Sequence, residues 1–146
     1  MGDFLEYWFK GLEKGIEGLP ESERVSLFTQ CGKACSDSYT KAIYQEIWKR
    51  TKDIPKFFQQ LNYEIEAIDV NEIMKEKDYE ITYHACLCDL YKNGYITSGY
   101  LCECSRQSLL YNLSILWPDR ELKVDLLDSI LRGGNKCVLR VFLNSK

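Results

Sequence analysis

Seven cysteines and a single histidine are the residues of this chain with the richest chemistry. Five of the cysteines and the histidine lie between His84 and Cys137. They come as His84-Ala85-Cys86-Leu87-Cys88, then Cys102-Glu103-Cys104-Ser105, then Cys137 after Arg132-Gly133-Gly134-Asn135-Lys136. A cysteine thiolate is a soft metal ligand and a nucleophile, so two chemistries are open. Zinc asks for about four N or S ligands in a tetrahedron at ~2.0–2.3 Å. Alternation over Glu80–Cys88 predicts a strand that projects His84, Cys86 and Cys88 from one face. Cys102 and Cys104 flank a predicted helix start, where the helix dipole is expected to lower a thiol's pKa. Two such pairs make a plausible four-sulfur zinc site, with Cys137 or His84 as a substitute ligand. The covalent alternative takes Cys102 or Cys104 as nucleophile and His84 as base, or a redox pair drawn from the same cysteines.

The bland readings stand beside these. Reduced cysteine is among the most buried residue types, so packing alone accounts for many thiols. Cys137 falls on an apolar strand face with Leu139, Val141 and Leu143, which favours a core role. Cys31 and Cys35 extend a helical stripe through Val25 and Phe28, and core packing is expected for them as well. Glu103 reads as a helix-start acid before it reads as an outer hydrogen-bond partner of a metal ligand. Arg132, just before Gly133-Gly134, reads as an exposed turn residue.

The elements that must position these residues follow from the rest of the chain. With 146 residues, 45% of them apolar and 28% charged, one globular domain with a sizeable core is expected over 1–146. Residues 1–62 read as a helical half. Phe4, Leu5, Trp8, Leu12 and Ile16 recur at helical spacing, and Pro20-Glu21-Ser22-Glu23 opens a second helix. Ser36-Asp37-Ser38 reads as a break and a new cap, and Tyr39, Ile43, Tyr44, Ile47 and Trp48 mark a third helix. Asp53-Ile54-Pro55 starts a short fourth, carrying Phe57, Phe58 and Leu61.

Residues 63–146 read as the strand-rich, cysteine-bearing half. Strands are expected over 63–70, 80–88, 121–131 and 137–143, with residues 71–78 as a polar turn. An amphipathic helix over 105–117 buries Leu109, Leu113 and Trp117. Gly133-Gly134-Asn135 makes the last hairpin turn, since glycine readily takes positive φ. The fold class is therefore α+β: N-terminal helices packed on an antiparallel sheet, with a C-terminal helix followed by a β-hairpin. The aromatic residues around the central stretch, Tyr83, Tyr95, Tyr100 and Tyr111, are the candidate walls of a small-molecule pocket.

A net charge of −3 and the lack of clustered Lys and Arg argue against nucleic-acid binding. No apolar run reaches the ~18–20 residues of a membrane span, and the N-terminus does not read as a signal peptide. A cytoplasmic location is expected, with the thiols reduced.

The order of strand, CxC, glycine-bearing loop, CxCS opening a helix, and a hairpin before a last Cys resembles the 4-vinyl-reductase-like small-molecule-binding domain. It is more specifically similar to cysteine-rich bacterial proteins with a CxC…CxCS…SIxRGxxxC pattern. Here that pattern is Cys86-Leu87-Cys88, Cys102-Glu103-Cys104-Ser105, and Ser129-Ile130-Leu131-Arg132-Gly133 through Cys137. Fold relatives of that domain include haem-NO-binding sensor domains and vesicle-tethering subunits. The resemblance implies helices on an antiparallel sheet, an apolar pocket for a small apolar or aromatic ligand, and a homodimer. Some members bind zinc through a Cys before the helix, an acid, and two hairpin cysteines. Cys102 or Cys104 matches the first of these and Cys137 the last. Ser129 stands at the other hairpin cysteine, and the acid position falls near Leu126.

Three functions follow as expectations. The first is a small-molecule-binding or sensor-like domain with a cysteine-rich zinc site. The second is a cysteine- or metal-dependent enzyme, a hydrolase or a redox protein. The third is a structural dimer subunit without a ligand.

Overall fold

A computed structural model describes residues 3–145. The helices are α1 (Asp3–Glu17), α2 (Glu21–Cys35), α3 (Lys41–Thr51), α4 (Ile54–Glu64), a short α5 (Asp89–Lys92) and α6 (Cys102–Leu116). The strands are β1 (Ile68–Met74), β2 (Asp78–Tyr83), β3 (Arg120–Asp128) and β4 (Cys137–Ser145). They form one antiparallel sheet in the order β1-β2-β4-β3. The expected α+β class, with a C-terminal helix followed by a hairpin, is what the chain adopts.

One face of the sheet builds the core. Across the register Ile68–Tyr83–Cys137, Val70–Ile81–Leu139–Leu126 and Tyr79–Val141–Val124, the inward residues are almost all apolar. α4 lies on this face because its N-cap and its apolar stripe agree. The Asp53 carboxylate accepts the Lys56 N–H at 3.0 Å, a cap contact that contributes about 1 kcal/mol. Phe57, Phe58 and Leu61 then point at the sheet and are fully buried. Phe58 stacks on Tyr79 at 3.8 Å, and Trp117 meets Phe57 and Trp48 edge-on at 5.2 and 5.5 Å. Each such buried side chain contributes on the order of 2–3 kcal/mol. The aromatic rings fill the space between helix and sheet. The hollow left there, between Pro55, Phe58, Val70 and Tyr79, has a volume of about 70 Å³.

Several expected boundaries move. The helix through Phe58 and Leu61 continues to Glu64, so β1 begins at Ile68 rather than residue 63 and runs on to Met74 through the stretch read as a turn. β3 ends at Asp128, and residues 130–132 form a single 3-10 turn. α6 opens at Cys102, three residues earlier than expected. The expected break at Ser36-Asp37-Ser38 is absent: residues 36–40 form a π-helical segment that joins α2 to α3 without interruption. The side chains that suggested a cap have other partners. Ser36 meets Ser108 of α6 at 2.7 Å, and Asp37 pairs with Lys41 at 2.9 Å and accepts from Tyr111 at 3.0 Å.

β2 stops at Tyr83, so Cys86 and Cys88 are not on a strand. Tyr83 pairs with Ile68 on one side and Cys137 on the other. Both neighbours begin there, and beyond Tyr83 the ladder gives way to a single backbone contact, from the His84 N–H to the Ala67 carbonyl. Residues 84–88 are irregular and lead into α5.

α2 and α6 make the closest helix contact of the fold. Gly32 is buried, and a Cβ there would stand 2.8 Å from both the Gln107 Cβ and the Ser108 nitrogen. Only glycine permits that approach.

Candidate functional site

The seven cysteines arrive from four separate segments: Cys31 and Cys35 on α2, Cys86 and Cys88 in the irregular stretch, Cys102 and Cys104 at the start of α6, and Cys137 at the start of β4. They converge on one region. Cys86 lies within electrostatic reach of Cys137, Cys88 and Cys102. Cys102 in turn feels Cys137 and Cys88. Cys104 packs against the cluster of Ile16, Phe28, Ile96 and Leu101 and lies within electrostatic reach of Cys35, Cys31, Cys88 and Cys102. All seven are free thiols.

The inner group, Cys86, Cys88, Cys102 and Cys137, sits where β2, β4 and α6 begin or end. Cys102 is buried, and its Sγ lies 2.7 Å from the Ser129 Oγ, which is itself fully buried. The Ile130 N–H donates to Cys137 Sγ at 3.4 Å. The turn that carries these contacts depends on two glycines. Gly133 has φ of 93°, and the place a Gly134 Cβ would take is filled by the Asp128 carboxylate. The hairpin turn thus folds down over the thiols. Three positions of the zinc pattern implied by the resemblance, Cys102, Ser129 and Cys137, are brought together. Leu126 faces the core instead and supplies no donor.

The electrostatics differ from what the helix start suggested. Burial pushes the Cys102 thiol up, with Cys137 adding and the Ser129 hydrogen bond and Arg132 opposing. Burial pushes Cys104 up to about 12, helped by Cys35 and Cys31. Cys86 and Cys35 are raised for the same first reason. Desolvation penalises the charged form, and it is the first cause at each of these thiols. These thiols are therefore protonated at neutral pH, which weighs against a thiolate nucleophile.

His84 is also placed elsewhere. Its Nε2 lies 2.6 Å from the Asp69 carboxylate of β1, both side chains exposed, and its backbone N–H donates to Ala67 at 2.9 Å. It faces the first strand rather than the thiols. Glu103 is the helix-start acid expected. Burial opposes its charge, but hydrogen bonds from Arg106 and Gln107 hold its carboxyl below the usual range. Arg106 also donates to the Val124 carbonyl at 3.0 Å, tying α6 to β3.

The four tyrosines have different neighbours. Tyr83 is on the core face of β2, its phenol pushed up to about 12 by burial. Tyr95 stacks on Phe9 at 5.3 Å. Tyr100 carries the Arg24 guanidinium over its ring at 4.2 Å and lines an open groove of about 380 Å³ with Glu17, Leu131 and Arg132. Tyr111 donates to Asp37. Arg132 is exposed as expected, and donates to the Gly99 carbonyl at 3.0 Å.

Sequence reasoning missed Cys31 and Cys35. They are exposed on α2, not core residues, and they face Cys104. The signal was present: a CxxxC spacing puts both on one helical face, and the glycine beside Cys31 lets a second helix approach. It also missed Ser129 as the partner of Cys102, although the resemblance marks that very position.

Among the described residues, no three His, Cys, Asp or Glu side chains stand in an arrangement that would hold a metal ion. None of the described helices is long and apolar enough to cross a membrane.

No protein-family model matches the chain, and no curated protein is significantly similar to it. Among solved structures, it is similar to a trafficking protein particle complex subunit 3 from Naegleria fowleri covalently bound to palmitic acid. The identity is 13%, the TM-score 0.47, and the match covers 97% of this chain and 94% of that one. It is also similar to an H-NOX domain from Shewanella oneidensis in the Fe(II)CO state. There the identity is 11%, the TM-score 0.45, and the match covers 84% of this chain and 64% of that one. Both TM-scores lie below 0.5, so neither protein's ligand carries over to this chain.

Proposed function

We propose that this chain is a small-ligand-binding, sensor-like domain of the 4-vinyl-reductase-like type. Its ligand site is the junction of Cys86, Cys88, Cys102 and Cys137, and its ligand is zinc or another thiophilic cation. The observation that supports this reading is that Cys86, Cys88, Cys102 and Cys137, from three distant segments, lie within electrostatic reach of one another, with Cys102 and Cys137 hydrogen-bonded to the turn between β3 and β4. Four cysteine sulfurs are a complete donor set for zinc. Clustered, desolvated thiols resist ionisation when alone, and a cation would relieve both penalties.

The donors fit by type and not yet by position, since no three of them stand ready for a metal. Binding therefore requires movement. Residues 84–88, which lack regular structure, are the segment that would close on Cys102 and Cys137. A site that must close on its ligand suits sensing better than catalysis. The pairing of His84 with Asp69 and the raised pKa values of Cys86 and Cys102 also speak against the enzyme reading. A homodimer belongs to the same proposal. The exposed apolar face of α1, with Phe4, Tyr7 and Trp8, supports it, and light scattering on the purified chain would test it.

The experiment for the site is a Co²⁺ titration of reduced protein, followed by absorbance. One equivalent should give the near-ultraviolet thiolate-to-cobalt charge transfer and visible bands of a tetrahedral sulfur site, displaced by Zn²⁺. Cys86→Ser and Cys137→Ser should each weaken binding by roughly 10-fold or more. Octahedral, weakly absorbing cobalt, with both variants behaving as the parent, would remove the proposal.

A further inference from the structure

Cys31, Cys35 and Cys104 lie outside the four-thiol junction, and they carry a separate inference. α2, with the π-helical segment that follows it, runs alongside α6 in the same direction. Ser36 meets Ser108, and Thr40 accepts from Asn112 at 3.1 Å. One turn back, Gly32 touches Gln107 and Ser108. Cys104, packed against the cluster that contains Phe28, therefore lies beside the turn of α2 that carries Cys31 and Cys35. Ser108 is one helical turn on from Cys104, on the same face of α6. Ser108 also hydrogen-bonds the Cys35 thiol. Cys31 and Cys35 cannot easily bridge each other. Both project from one face of one helix, a turn apart, whereas a disulfide needs Cβ atoms about 3.5–4.5 Å apart. Each has its available partner across the crossing.

We propose that Cys35 of α2 and Cys104 of α6 form a thiol-modification site, a reversible disulfide across the helix crossing made by exchange with a low-molecular-weight disulfide. The step balances. The exposed Cys35 attacks the small disulfide, forming a mixed disulfide and releasing one small thiol. Cys104 then attacks the Cys35 sulfur, forming the protein S–S bond and releasing the second small thiol. The two cysteines are oxidised by two electrons, and the small disulfide is reduced to two thiols that carry away the two protons. The bridge would pin α2 to α6 beside Cys102, a member of the proposed cation site. It uses no member of the proposed cation site.

Trypsin separates the relevant thiols. Cys31 falls in residues 25–33, Cys35 in 34–41, Cys102 and Cys104 together in 93–106, Cys86 and Cys88 in 78–92, and Cys137 in 137–140. Metal-free protein is incubated with oxidised glutathione, blocked with an alkylating agent, digested and read by mass spectrometry. The expected product links 34–41 to 93–106. It should be lost in Cys104→Ser and kept in Cys102→Ser and Cys137→Ser. Its rate should climb as pH rises from 7 to 9, because exchange needs the thiolate. The inference is overturned by a link that survives Cys104→Ser, by bridges confined to the other cysteines, or by no protein disulfide while Cys35 carries glutathione. Cobalt binding by Cys35→Ser separates the two proposals, since that variant should retain the charge-transfer band.

Discussion

The Cys102 thiol and the Ser129 hydroxyl stand 2.7 Å apart, buried under the turn between the last two strands. Each satisfies the other where water is absent. Ser129→Ala leaves the thiol without its partner and should cost about 1–2 kcal/mol in urea denaturation. It should also raise the Cys102 pKa further, because the hydroxyl is the contact that lowers it. Slower alkylation of Cys102 at pH 8 would show that shift. Ser129→Cys adds a sulfur at the same place and should tighten cobalt binding.

Two glycines in helices should respond in opposite ways. Gly32→Ala places a methyl group 2.8 Å from the Ser108 backbone and should destabilise the chain by about 1–3 kcal/mol despite alanine's better helix propensity. Around Gly11 of α1 there is nothing within 4 Å. Gly11→Ala should therefore be neutral or stabilise by up to about 1 kcal/mol. Thermal melts of the two variants beside the parent test the difference in sign.

α1 is held to the body by few contacts, and Glu13 is central among them. Its carboxylate is buried and accepts the Thr97 N–H at 3.0 Å and the Ser98 N–H. Glu13→Ala leaves both donors without an acceptor and should loosen α1 before the rest of the chain. Limited trypsin digestion should then cut at Lys10 and Lys14 several-fold faster, while cleavage within α6 stays slow.

The buried thiols and phenols make stability depend on alkaline pH. Cys104 is pushed from 9.0 to about 12, and Tyr83 from 10.0 to about 12, burial being the first cause in both. Such groups are neutral when protonated and resist ionising in the folded state. Their contribution is complete below the unfolded pKa and is lost as pH rises through the folded one. The urea midpoint of metal-free protein should fall between about pH 9 and 12. Cys104→Ala should show a shallower fall over that range. An equal fall in both proteins would assign the loss to other groups.

The layers were legible in the sequence, and so was the last hairpin, whereas the pairing of β2 with β4 was not. The stripe of Leu109, Leu113 and Trp117 and the alternation of Leu139, Val141 and Leu143 both describe residues packed into one core. Periodicity failed where a partner, not the segment itself, sets the boundary. Ile81, Tyr83, Ala85 and Leu87 alternate without a break, yet the strand ends at Tyr83 because both flanking strands end opposite it. Ile65 prolongs the helical stripe of Phe58 and Leu61, so an alternating reading of residues 63–70 started too early. The thiol cluster was half visible. Spacing flagged the inner cysteines, but only the tertiary crossing at Gly32 shows that the α2 thiols face the same region.

The π-helical segment at Ser36–Thr40 works as a phase shifter within one continuous rod. A π-turn accommodates one residue more than an α-turn, and each α-helical residue advances the face by about 100°. Upstream of the shift the rod shows Phe28, Gly32 and its cysteines to α6. Downstream it shows Tyr44 and Ile47 to the aromatic core. Removing one residue between Ser36 and Thr40 would leave a regular helix whose two ends are clocked against different neighbours. Only one of them could stay seated, so the thiol crossing and the hydrophobic core are coupled through the twist of a single helix.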